Sequence, residues 1–191
     1  MDEVGNWIAF GLLTVVLVVA AVTDVKTGKV FNWLTLPAMG GGLVLAALRG
    51  AMTAGEPSAW GATQAALIAT LAALLGFGLL VVLTGGLGFG DVKLMGAVGA
   101  LTASWQCVAS TAIYAFVVAV GIAIVVMIRG GLVKRTMHRL LSVLLARASQ
   151  TDVNLPNDSP KIPFAVAIAV GGIVAGAEVL LGVNTPWAAN W

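Results

Sequence analysis

The 191-residue sequence is poor in charge and in the residues that build most polar sites. Charged side chains make up 9% of it, whereas a soluble domain carries about 25%. It has one cysteine, one histidine and one tyrosine. The lone Cys107 excludes an internal disulfide and a cysteine-rich zinc site. The net charge of +2 comes from basic residues in connecting segments and gives no indication of nucleic-acid binding.

Long apolar runs replace the missing polar residues. Hydrophobic residues make up 60% of the chain, and the mean hydropathy is +1.03. A membrane span needs about 20 apolar residues. We therefore predict an all-α integral membrane protein whose residues 1–191 form one domain with six transmembrane helices. The predicted spans are about residues 7–23, 33–48, 58–84, 92–104, 106–128 and 163–183.

The fourth predicted span, residues 92–104, is too short to cross a bilayer in the usual way. At 1.5 Å per residue it covers about 20 Å, and the hydrocarbon core is about 30 Å thick. We expect this segment to be tilted, half-buried among its neighbours, or placed in a locally thin bilayer.

The basic residues predict the orientation. All of them except Arg49 follow the first, third or fifth span, so they share one side of the membrane, and that side should be cytoplasmic. Both termini are then on the outer, extracytoplasmic side. Residues 129–162 form a cytoplasmic loop. Within this loop, Leu132 to Arg147 alternates apolar and basic residues at helical spacing, which predicts an amphipathic helix lying on the membrane lipid.

Two acids stand out because both follow apolar spans at the cytoplasmic side. Asp24 follows the first span, and Asp91 ends the glycine-dense segment 85–91. Two aspartates that meet at a membrane boundary can share one proton, because like charges close together do not both ionise easily. The ionised carboxylate would take a proton from water while its protonated partner polarises a peptide carbonyl.

Residue types and topology alone leave other interpretations open. Either aspartate would also serve as a helix cap or as the partner of Lys26, Lys29 or Lys93. A proton- or cation-coupled transporter would use the same intramembrane acids, and a structural subunit would need neither. Glu178, near the outer end of the last span, is expected to snorkel or to pair with another helix.

Three segments then resemble the type IV prepilin peptidases, which are membrane aspartyl proteases. Residues 88–96, GFGDVKLMG, are similar to their GxGD signature. Residues 24–35 are similar to the family's D-x5-I-P-N-x-L-T pattern, although Phe31 stands where the family has proline. Residues 161–164, KIPF, are similar to the basic-I-P-F segment that opens the family's last span.

The resemblance implies an endopeptidase that removes the leader of a prepilin or pseudopilin, after a glycine that precedes an apolar helix, at the cytoplasmic face of a bacterial inner membrane. It implies that Asp24 and Asp91 are catalytic and that no metal or organic cofactor takes part. Backbone or motif support is expected from Gly88, Gly90 and Lys93. Substrate contacts or structural roles are expected for Lys26, Lys29, Asn32, Pro163 and Phe164.

The same resemblance implies a particular form of the family. The sequence starts directly at the first span and lacks paired Cys-x-x-Cys motifs. It is similar to the short, peptidase-only form that accompanies tight-adherence (Flp-type) pili. We therefore expect no N-methyltransferase activity.

Overall fold

A computed structural model of the protein describes residues 2–52, 58–84, 87–129 and 163–182, with side chains from Val4 onward in the first range. These ranges hold helices and no strand, as an all-α fold requires. The predicted cytoplasmic amphipathic helix and most of the loop 129–162 lie outside them. The helices are α1 (Asp2–Thr27), α2 (Asn32–Met52), α3 (Ala59–Thr84), α4 (Phe89–Thr102), α5 (Trp105–Arg129) and α6 (Phe164–Leu181).

The chain divides into two compact units. The first consists of Met1–Val118 together with Pro163–Trp191, and it contains all the candidate site residues. The second is Ala119–Ile162, of which the described part is the end of α5. Everything that follows on packing and on the site concerns the first unit.

The length of the helices and the distribution of their side chains suit a lipid bilayer. Five of them, all except α4, are long and apolar enough to cross a membrane. Many of their large apolar side chains point outward: Leu75 and Val82 on α3 are 72% and 76% exposed, while half of the buried residues of that helix are alanine. Small residues between helices and large apolar ones outside are the pattern of a membrane bundle. The protein is therefore a multi-pass membrane protein, and the sixth span and the orientation stay predictions.

Helix α4 lies at the centre of the first unit, packed against α1, α2, α3 and α6. Every residue from Leu94 to Leu101 is buried. Two glycines allow this packing: a Cβ on Gly99 would lie 2.6 Å from the Ala69 carbonyl oxygen of α3, and one on Gly42 of α2 would lie 2.6 Å from the Ala100 carbonyl carbon. Of the three explanations offered for the short segment, the structure shows burial among neighbouring helices.

The start of α4 differs from the prediction. The helix begins at Phe89, three residues before the predicted start of that span, so Asp91 belongs to its first turn. The reason is local hydrogen bonding. The Asp91 N–H donates to the Gly88 carbonyl at 3.0 Å, and the Gly88 N–H donates back to Asp91 Oδ2 at 3.3 Å. This exchange closes a helical turn at the end of the glycine-dense segment.

The other end of α4 is held by an arginine of α2. Arg49 Nη2 donates to the Leu101 carbonyl at 3.2 Å, and its Nη1 donates to Asn6 Oδ1 of α1 at 3.1 Å. The last carbonyls of a helix have no partner within the helix, and the negative end of its dipole favours a cation. Arg49 thus ties α1, α2 and the C-terminal end of α4 together.

Glu178 is paired across helices, one of the two arrangements expected for it. The Tyr114 hydroxyl of α5 donates to Glu178 Oε1 of α6 at 2.6 Å. The second carboxyl oxygen, Oε2, is buried with no hydrogen-bond partner within the described ranges. The only tyrosine in the chain therefore supplies the donor that makes this acid tolerable between two helices.

We expect Tyr114→Phe to lower the free energy of unfolding by about 1–3 kcal/mol, because it leaves a buried carboxyl without its donor. Glu178→Gln is the matched variant: it keeps an oxygen to accept the tyrosine O–H, so its effect should be smaller. Thermal unfolding in detergent measures both. A Tyr114→Phe protein as stable as the wild type would show that this hydrogen bond contributes nothing.

Candidate active site

Asp24 lies in the last turn of α1, so the helix continues beyond the predicted end of the first span. The helix ends at Thr27. Gly28 then adopts a left-handed conformation with φ of +64°, and its N–H donates to the Asp24 carbonyl at 2.7 Å. Glycine adopts this conformation without the steric cost of a Cβ. Gly28 thus terminates the helix, and the side chain of Asp24, four residues earlier, is half-buried.

The Asp24 carboxylate contacts the first turn of the last helix. Asp24 Oδ2 accepts a hydrogen bond of 3.1 Å from the backbone N–H of Ala165. The two residues are 141 positions apart in the sequence, and α1 packs along α6. Asp24 is therefore a cap, as one of the open interpretations allowed, but it caps another helix rather than its own.

An aromatic row fixes the position of that first turn. The ring of Phe164, which begins α6 directly after Pro163, lies 5.8 Å from the ring of Phe116 on α5. Phe116 in turn stacks on Phe77 of α3 at 6.1 Å with an interplanar angle of 10°. Such ring pairs add stability beyond the area they bury. These ring contacts help to position the first turn of α6, where the Ala165 N–H donates its hydrogen bond to Asp24.

Asp91 lies in the first turn of α4, outside the five helices long enough to span, and it is 8% exposed. The pKa of Asp91 is raised to about 6, mainly by burial. The hydrogen bond from Gly88 opposes this rise, and the negative charge of Asp24 adds to it. Val30, six residues after Asp24, lies against the first turn of α4, where a Cβ on Gly90 would be 3.0 Å from Val30 Cβ. The structure therefore brings Asp24 and Asp91 to the same end of the first unit.

Of the two motif glycines, Gly90 is the one that the packing requires. A Cβ on Gly90 would lie 3.0 Å from Val30 Cβ, so the connection between α1 and α2 rests directly on the first turn of α4. Gly88 has an extended backbone, and the nearest atom to a Cβ there is Asp91 Oδ2 at 3.4 Å. Gly90 lets the connection close over the residues beside Asp91.

Lys93 binds an amide rather than either aspartate. Its Nζ donates to Asn32 Oδ1 at 2.8 Å, which joins the first turn of α4 to the first residue of α2. Lys26, on the last turn of α1, and Lys29, in the connection after it, are both exposed. The interpretation that Lys93 is the partner of Asp91 is thus replaced by a contact that positions α2 against α4.

The predicted site residues therefore gather at one end of the first unit. Asp24, Asp91, Lys93 and Asn32 come from three helices, and Phe164 places a fourth. Sequence reasoning missed two groups, the backbone N–H of Ala165 and the side chain of Val30. The one sequence signal for Ala165 was its place after the KIPF segment.

The described helices are those of a multi-pass membrane protein with two aspartates at one end of its first unit. A profile of the type IV leader peptidase family matches residues 11–127 and so includes both acids. The chain belongs to this peptidase family. Neither the curated proteins nor the solved structures contain a match to it.

Proposed function

We propose that the protein is an aspartyl endopeptidase in which Asp24 and Asp91 together activate water against a peptide bond. The observation that carries this proposal is the asymmetric pair itself. One carboxyl is half-buried and accepts a helix N-terminal N–H. The other, Asp91, is buried, and its pKa is raised to about 6. Burial is the largest cause of this rise, the Gly88 hydrogen bond opposes it, and the charge of Asp24 adds to it. A pair that holds one proton at mildly acidic pH, near 6, has both an acid and a base available.

The reaction balances without a covalent intermediate. The ionised carboxylate takes a proton from water as the water oxygen bonds to the peptide carbonyl carbon, and the protonated carboxyl gives its proton to the carbonyl oxygen. In the tetrahedral diol, the first carboxyl then gives its proton to the leaving nitrogen as the C–N bond breaks. The second carboxyl recovers a proton from a diol hydroxyl as the carbonyl reforms. One water is consumed and the pair returns to its starting state.

The family and the position of the site support a proposal for the substrate class. We propose a prepilin or pseudopilin with a basic leader, a glycine before the cut and an apolar helix after it. The site lies at the ends of α1, α4 and α6, where the basic residues predict the cytoplasmic face of a bacterial inner membrane. A substrate whose apolar helix lies in the same bilayer would present its leader junction at this boundary.

The test uses the purified full chain in proteoliposomes with a synthetic peptide that carries the basic leader, the glycine and the apolar helix. We expect a single cut after the glycine, located by mass spectrometry, and no cut when that glycine is replaced by valine. The competing transporter function predicts proton or cation uptake with an intact peptide. A protein that gives neither cleavage nor uptake would support the structural-subunit interpretation.

A further inference from the structure

We infer that the N-terminus of α6 makes the two aspartates unequal: the Ala165 N–H holds Asp24 as the ionised residue that activates water, and Asp91 keeps the proton. This inference rests on the proposed peptidase function and adds the assignment of roles within the pair. It also makes the backbone N–H of Ala165 a positioning group for catalysis.

The Ala165 N–H donates a hydrogen bond that the Asp24 carboxyl accepts. An ionised carboxylate only accepts hydrogen bonds, so a donated N–H stabilises the charged form over the neutral one. Ala165 is the second residue of α6, and the first amides of a helix have no partner within the helix. The Ala165 N–H is therefore available to donate a hydrogen bond to Asp24 Oδ2, at an N···O distance of 3.1 Å. The positive end of the helix dipole also favours an anion at this place.

The surroundings of Asp91 favour the neutral form. Asp91 is 8% exposed, and Val92, Leu94 and Met95 after it are all buried. The donor that the structure gives its carboxyl is the Gly88 N–H at 3.3 Å, a longer bond than the one that Asp24 accepts. The raised pKa of Asp91 agrees with this, since burial outweighs the opposing Gly88 bond.

Among the residues that the structure describes, no side-chain charge on the neighbouring helices offers a simpler account of Asp24. Helix α4 brings Asp91 and Lys93 to this end, and Lys93 is bound to Asn32. Helix α6 has no ionisable side chain before Glu178, and α2 has none before Arg49. On its own segment Asp24 has Lys26 and Lys29, both exposed to the surroundings, where ion pairs contribute little. The backbone N–H is the group that is built into the site.

In the reaction, Asp24 takes the proton from water and later gives it to the leaving nitrogen. Asp91 gives its proton to the carbonyl oxygen and recovers one from the diol. Each role demands a different property of the side chain. An asparagine in place of Asp91 still donates a hydrogen bond to a carbonyl oxygen, whereas an asparagine in place of Asp24 accepts no proton from water.

The first test compares the residual activities of Asp24→Asn and Asp91→Asn under single-turnover conditions with enzyme in excess. We expect Asp91→Asn to cleave at least about tenfold faster than Asp24→Asn, because it keeps the carbonyl donor. Equal residual rates, or a faster Asp24→Asn, would overturn the assignment of roles while leaving a two-aspartate peptidase intact. Wild-type rates for both variants would overturn the proposed function as well.

The second test removes the N–H itself. Cell-free translation into nanodiscs with a hydroxy-acid-charged tRNA replaces Ala165 by lactic acid, which puts an ester oxygen where the N–H was and keeps the methyl group. We expect kcat to fall about 10- to 100-fold with KM nearly unchanged, the size of a hydrogen bond to a charged group. The same replacement at Ala169 removes a backbone donor within α6 and controls for a weakened helix.

The outcome is decided by comparing the two esters, after thermal unfolding has shown that both are folded at the assay temperature. A larger kcat loss at Ala165 than at Ala169 supports the positioning role. Equal losses, or a loss at Ala165 that appears only in KM, would show that the first turn of α6 has a structural role and would overturn the inference.

Discussion

Replacing Asp91 by asparagine is expected to lower kcat by about 10³-fold or more, and Asp24→Asn should lower it at least about tenfold further. General acid and base groups each contribute about 10²- to 10⁴-fold, and residues that act as a pair lose most of their effect when either is removed. Initial rates of peptide cleavage by the purified variants in proteoliposomes measure the loss. Asparagine keeps the size of aspartate, so folding should be little changed.

A carboxyl elsewhere in the same bundle supplies the control. Glu178 is bound to Tyr114 on α5, about 20 Å along α6 from Ala165 at 1.5 Å per residue. Glu178→Gln should therefore stay within about threefold of the wild-type rate. A Glu178→Gln enzyme as slow as the aspartate variants would mean that any buried acid lost from the bundle disables it, and the catalytic assignment would fail.

The largest expected effect on stability comes from a valine at Gly99. The side chain would start 2.6 Å from the Ala69 carbonyl oxygen and 2.8 Å from the Thr70 N–H nitrogen of α3. Both are backbone atoms of a helix and have no rotamer to change, so α3 and α4 must separate. Overpacking a core costs about 1–3 kcal/mol, and we expect Gly99→Val to reach or exceed the upper value. Thermal unfolding in detergent and the yield of folded protein measure it.

Gly76→Ala on α3 is the matched substitution. Nothing lies within 4 Å of a Cβ at this position, and alanine is about 1 kcal/mol better than glycine inside a helix. This variant should be as stable as the wild type or slightly more stable. If Gly76→Ala and Gly99→Val lower the unfolding temperature equally, the close approach of α3 and α4 at Gly99 is not what the fold requires.

The fold class was predictable because lipid as a solvent leaves a strong mark on composition. Runs of apolar residues indicated the positions of the helices. In the residues that the structure describes, it confirms helices without strands, and five of them are long and apolar enough to span. The boundaries near the acids were less accurate. Asp24 and Asp91 both lie inside helices, because the Gly28 cap and the Gly88–Asp91 hydrogen bonds extend the helical turns past the apolar runs.

The two acids were predictable individually, since a charge in an apolar chain is costly and therefore informative. Their surroundings were not. The partner of Asp24 is a backbone N–H, which every residue except proline possesses. No residue type in the sequence therefore indicates where such a partner lies. The contacts of Lys93 with Asn32 and of Gly90 with Val30 join segments about 60 residues apart, and only the packing of α2 on α4 brings them together.

The intact mass of a prepilin co-expressed with this protein tests the central claim most directly. With the wild type, the account predicts a product shortened by its leader, with a new N-terminus immediately after the leader glycine. With Asp24→Asn or Asp91→Asn, present in the membrane at equal amounts, it predicts the full-length mass. A shortened prepilin in the presence of either aspartate variant at the wild-type rate would contradict the account.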